Sequence, residues 1–100
     1  MGVTPNIIFI LRKSKARREV LEYLVNIHPD KAYVPIISKS TNIGINEVYG
    51  ALNGVKGRYK KENTLISLGL VGKEAKNGIC LYYATPLGVE VWQSRKDLLD

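Results

Sequence analysis

A chain of 100 residues, 45% of them hydrophobic, is long enough to bury one modest core and short for two, so a single domain over residues 1–100 is expected. The formal net charge is +6, with bases clustered at Arg12, Lys13, Lys15, Arg17, Arg18 and again at Lys56, Arg58, Lys60, Lys61, a pattern that suits a polyanion but also describes solvated helix faces. The lone Cys80 excludes an intramolecular disulfide and a multi-cysteine metal cage, and the apolar run Ile7 to Leu11 is far shorter than the ~18 residues of a membrane span, so a cytoplasmic chain without membrane contact is expected.

Thr4 followed by Pro5 is a cap-plus-proline opening for a short first helix through Ile7 to Leu11, although a strand is also compatible with that run. Ser14 offers the next N-cap. Beyond it Ala16, Val20, Leu24 and Ile27, flanked by Leu21 and Val25, recur at helical spacing, until His28-Pro29-Asp30 ends the helix because proline cannot continue the hydrogen-bond ladder. Val34-Pro35 starts a third helix that carries Ile36 and Ile37 inward and runs to about Thr41. Asn42-Ile43-Gly44-Ile45 reads as a tight turn, with Ile45 packing inward and Asn46 capping the helix that follows.

That fourth helix, over about residues 45–56, carries two stripes. Ile45, Val48, Leu52, Val55 and Tyr59 define a face for the core, while Asn46, Tyr49, Asn53, Lys56 and Lys60 define a polar face one residue later. Gly50, Gly54 and Gly57 weaken the helix, with a bend or break expected near Gly57. Short helix, glycine-bearing turn and second helix make a helix-turn-helix.

Thr64 caps a further helical turn that directs Leu65 and Leu68 to the core and stops at Gly69. Leu70-Val71 begins a strand, and Asn77-Gly78 between strand-like runs predicts a type I′ hairpin, with Cys80 half-buried on its second strand. Thr85-Pro86 opens a last helix with Leu87, Val91, Trp92 and Leu98 on its apolar side.

Gly69-Leu70-Val71 followed by Tyr82-Tyr83-Ala84-Thr85-Pro86-Leu87-Gly88 resembles the phrases that close the helices and return from the wing in archaeal and bacterial winged helix transcriptional regulators. The resemblance covers about residues 14–97 and implies an α+β, mainly α fold. This would be a winged helix-turn-helix with a three-helix core over about 14–85, a two-stranded β-hairpin wing over 72–83, and additional N- and C-terminal helices. Gly57 to Asn63 is a basic addition that makes the stretch between the turn of the helix-turn-helix and Gly69 longer than such proteins usually have.

The function implied is sequence-specific binding of double-stranded DNA, with helix 45–56 in the major groove. Asparagine pairs bidentately with adenine, which makes Asn46 and Asn53 the candidates for base reading, and Tyr49 suits a thymine methyl or a phosphate. Lys56, Arg58, Lys60 and Lys61 suit phosphates, and Lys73 and Lys76 would lie on the wing. Each has a plainer reading: Asn46 as a cap only, Asn53 as a solvated surface residue. The terminal segments 4–12 and 86–98 either form a homodimer contact across a two-fold axis or complete the monomer's core. No catalytic constellation, cofactor loop, metal-ligand set or small-molecule site is visible, so an enzyme is not expected. The alternative is a winged-helix module for protein–protein interaction in a transcription or replication assembly, and RNA binding is a third reading.

Overall fold

The computed structural model describes residues 5–54 and 63–94. Among these, the elements run α1 (Pro5–Lys13), α2 (Lys15–Ile27), α3 (Val34–Thr41), α4 (Ile45–Asn53), β1 (Val71–Lys76), β2 (Ile79–Ala84) and α5 (Pro86–Gln93), an α+β and mainly helical arrangement with one antiparallel hairpin.

A single residue separates α1 from α2. The Ser14 hydroxyl accepts the Arg17 backbone N–H at 3.1 Å, as an N-cap should. Arg18 reaches back to donate to the Leu11 and Arg12 carbonyls, both at 2.8 Å, so a base that opposes the dipole of its own helix satisfies the C-terminal carbonyls of the preceding one. Ile7, Ile10 and Leu11 are buried within the single chain, while Phe9 is left exposed.

The centre of the fold is α2. Its Val20, Leu21 and Leu24 are fully buried, and it packs against α1, α3, α4, α5 and β2. The helix ends at Ile27, ahead of His28-Pro29, as the sequence predicts.

Pro35 stands near the start of α3, and Asn42 ends that helix in the left-handed region at a φ of 60°. Only Ile37 of the predicted inward pair is buried. Ile36 is exposed, because consecutive helical residues lie about 100° apart and one direction alone faces α2 and α4.

The start of α4 also differs from expectation. Gly44 is the N-cap, with no side-chain hydrogen bond, and Ile45 is the first helical residue at 53% exposure, so Asn46 lies inside the first turn rather than capping it. Ile43, packed against the core one residue before the cap, takes the inward place assigned to Ile45. The buried face is Val48, Ala51 and Leu52. The helix stops at Asn53 instead of running to residue 56, because Gly54 adopts a φ of 90° and returns its N–H to the Gly50 carbonyl at 2.8 Å. Val55, Tyr59 and the break expected at Gly57 lie outside the described residues.

The segment around Thr64 finishes α4. Leu65 and Ile66 donate backbone N–H groups to the Ala51 and Leu52 carbonyls at 3.0 and 3.4 Å, occupying acceptors that a helix end leaves open. Thr64 accepts from the Ser67 N–H at 3.1 Å, but residues 65–69 form turns in place of the predicted helical turn. Leu65 is buried nonetheless, and Gly69 reverses the chain at a φ of 81°.

The hairpin has the predicted two-residue loop, with Asn77 and Gly78 at φ values of 53° and 79°, and its register runs from Val71 opposite Ala84 to Lys76 opposite Ile79. A single-residue bridge joins the other edge of β2. There the Ala32 and Tyr82 backbones exchange hydrogen bonds at 2.9 and 2.7 Å. Residues 73–80 project into solvent, which is why Cys80 is exposed and not half-buried.

Thr85 caps α5 by accepting the Gly88 N–H at 3.0 Å and donates to the Gly69 carbonyl at 2.6 Å. Val91 is buried and Leu87 and Trp92 pack partly against the core; Leu98 lies outside the described residues. No described helix is long and apolar enough to cross a membrane.

Candidate nucleic-acid interface

The solvent side of α4 presents Asn46 and Tyr49, both exposed, and the half-buried Asn53, at the spacing that aligns residues along one helix face. Asn53 is the most constrained of them. Its amide N–H donates to the Tyr82 hydroxyl at 2.9 Å, and its carbonyl oxygen accepts from the Lys73 ammonium at 3.3 Å. Burial raises the Tyr82 phenol above its ordinary value, and the hydrogen bond from Asn53 opposes part of that rise.

Strand alternation divides the hairpin lysines. Lys73 lies opposite Tyr82 and shares its face with Val71 and Ala75, whereas Lys76 falls on the other face with Gly72 and Glu74. Lys73 therefore turns towards α4 and Lys76 away from it. On the outer face Glu74 pairs with Lys31 at 2.9 Å, and Lys31 stands 5.8 Å from the centre of the Tyr83 ring. That hydrogen bond, reinforced by the charge attraction, raises the Lys31 pKa and lowers that of Glu74.

Among the described residues, two surface depressions flank α4. One, of about 380 Å³, lies between the α1–α2 junction and the first turn of α4 and is lined by Lys13, Ser14, Lys15, Ala16, Ile43 and Glu47. The other, of about 320 Å³, separates α4 from the hairpin; Tyr33, Pro35, Tyr49, Lys73, Ile79 and Tyr82 are among its walls. Lysines thus border both ends of the exposed face of α4. Among the described residues no cluster of His, Cys, Asp or Glu is placed to hold a metal ion.

Of the residues singled out in the sequence, Asn46, Tyr49, Asn53 and Lys73 come together on one side, and Lys76 stands apart. Lys56, Arg58, Lys60 and Lys61 lie outside the described residues. Sequence reasoning missed Tyr82 as the partner of Asn53, 29 positions away, and Lys13 and Lys15 as neighbours of α4. The basic run was visible, but its distance from α4 along the chain hid the proximity.

The EarA-like family model matches residues 7–94, which takes in almost every element described above. The chain belongs to the EarA-like family. This EarA-like chain is also 35% identical, over 95 residues, to an uncharacterized protein of the archaeon Methanocaldococcus jannaschii, covering 95% of this chain and 86% of that relative. No solved structure matches the chain.

Proposed function

We propose that this EarA-like protein binds double-stranded DNA as a winged helix-turn-helix regulator of transcription, with α4 in the major groove and the β1–β2 hairpin as the wing. The order α2, α3, α4 and hairpin, with the Ala32–Tyr82 bridge as a one-residue third strand, fits that fold. The observation that carries the reading is the polar face of α4 bracketed by lysines from separate elements. An α-helix with its side chains is about 10 to 12 Å across, which the roughly 12 Å wide major groove admits. Lys13 and Lys15 at one end and Lys73 at the other suit the phosphates on either side, with Asn46 and Tyr49 between them for the base edges. Lys56, Arg58, Lys60 and Lys61 extend the positive charge that follows α4 in the chain, and Lys76 suits a more distant phosphate. A regulatory role follows from the resemblance to winged helix transcriptional regulators.

A mobility-shift titration with duplex DNA over a salt series tests this. If about six phosphates are neutralised, the logarithm of the association constant falls with that of salt at a slope of roughly −5, and changing Lys13, Lys15 and Lys73 to alanine flattens it. A flat response in the wild type sinks the reading.

One observation favours a second reading, a protein-interaction module. Tyr33, Tyr49 and Ile79 are exposed around the cleft between α4 and the hairpin, and Ile36 is exposed on α3. Binding to a protein partner that persists at high salt, without duplex binding at low salt, would select it.

A further inference from the structure

We propose that Asn53, Tyr82 and Lys73 form a clamp that sets the hairpin against α4, with Asn53 a positioning residue and Lys73 the phosphate contact it presents; this rests on the DNA-binding reading. Tyr82 is the fixed point. Its side chain is almost wholly buried, and its backbone N–H and carbonyl are both engaged by Ala32. Its hydroxyl reaches the last residue of α4, just before Gly54 ends the helix.

The orientation of the Asn53 amide follows from the chemistry of its partners. Lysine only donates, so the amide oxygen must face Lys73 and the amide nitrogen is left for the Tyr82 oxygen. Lys73 lies directly across the ladder from Tyr82, on the same face, so all three groups meet where α4, β1 and β2 converge.

This arrangement bears on what Asn53 does at a DNA surface. Bidentate reading of adenine needs both the amide oxygen and the amide nitrogen. Each already serves one partner. Although the oxygen keeps a second lone pair and the nitrogen a second N–H, swinging the amide plane to a base would draw it away from Lys73 and Tyr82 and release the hairpin at the moment it has to hold the flanking backbone. The ammonium of Lys73 has three donors and gives one to Asn53, so it can bind a phosphate without leaving the clamp. Asn53 therefore acts on DNA through Lys73, and base reading falls to Asn46 and Tyr49.

The test uses fluorescence anisotropy with a labelled random-sequence duplex, on the full chain and on Asn53→Ala, Tyr82→Phe, Lys73→Gln and the Asn53→Ala/Tyr82→Phe pair, with duplex selection on the single variants. Asn53→Ala and Tyr82→Phe are each expected to weaken binding by about three- to tenfold on all sequences, and the pair by no more than the larger single effect. Lys73→Gln lowers the salt slope by about one, and Asn53→Ala lowers it too. Tyr82→Phe keeps the ring, and faster amide exchange along β1 in the free variant reports the loosened hairpin.

A changed preference at one base pair in Asn53→Ala, with Tyr82→Phe unchanged, makes Asn53 a base reader and overturns the clamp. So does wild-type affinity in both variants. If the wild type binds no duplex, the DNA-binding reading itself falls and the clamp's role in it falls too.

Discussion

Arg18 donates a guanidinium N–H to the Leu11 carbonyl at 2.8 Å, seven residues back across the Ser14 junction. The same nitrogen serves the Arg12 carbonyl, so the last turn of α1 is closed by a charged side chain from α2. Arg18→Ala is expected to cost about 1 to 2 kcal/mol, since it removes charge-assisted bonds at a partly buried site and leaves carbonyls open. For a domain of this size that is a fall of roughly 4 to 16 °C in the thermal midpoint. Amide exchange should quicken first in α1, and equal protection of α1 in wild type and variant would refute the assignment.

That contact marks a limit on what sequence pattern conveys. The helices, the Ser14 and Thr85 caps and the Asn77-Gly78 turn were legible because each depends on residues within a few positions of one another. The role of Arg18 was not legible, because its partners are the closing carbonyls of the preceding helix. Ile45 and Ile36 looked like core residues because hydrophobicity alone cannot tell which apolar side chain the neighbouring elements will cover. At the candidate interface, Asn46, Tyr49 and Lys73 were found by residue type and spacing. The Asn53–Tyr82 contact was not, since it depends on how the hairpin folds back on α4.

Gly88 tests the joint between α5 and the turn before β1. It is buried in the first turns of α5, and a Cβ there would run into the Leu70 carbonyl oxygen and stand 3.3 Å from the Leu21 side chain. The Leu70 carbonyl is itself fixed by accepting the Thr85 N–H at 3.1 Å, so it cannot retreat without breaking that bond. Gly88→Ala is expected to destabilise the fold by about 3 kcal/mol despite the better helix propensity of alanine. Gly88→Ala with a denaturation midpoint equal to that of the wild type would show that the α5 joint has slack.

The Lys31–Glu74 pair predicts a pH dependence with a definite sign. Glu74 is held below its ordinary 4.5, chiefly by the hydrogen bond from Lys31, so its contribution is complete above that value and lost as pH falls through the lowered pKa. Lys31 is raised above 10.5, so its contribution is complete below that value and lost as pH rises through the raised pKa. Wild type should therefore exceed Glu74→Gln in thermal midpoint through the neutral range, and the gap should close in acid. Both side chains are exposed, so the gap should also shrink as salt is added. A gap that persists unchanged in acid would mean that Glu74 contributes through something other than its charge.

Gly44 separates stability from binding. It caps α4 at a φ of −56° without a side-chain bond, and the position of a Cβ there is open, with no atom within 4 Å. An aspartate can accept an N–H from the first turn and complements the positive end of the helix dipole, so Gly44→Asp should stabilise the fold by about 0.3 kcal/mol. On the proposed interface the same charge stands where the N-terminal turn of α4 approaches phosphates, and it should weaken duplex binding by about three- to tenfold at low salt, less at high salt. Gly44→Ser supplies a cap without the charge and should keep wild-type affinity. Opposite signs for stability and binding in the aspartate variant alone would thus tie the front of α4 to the DNA backbone. If Gly44→Asp binds as well as wild type, that turn does not face phosphates, and α4 is not oriented in the groove as proposed.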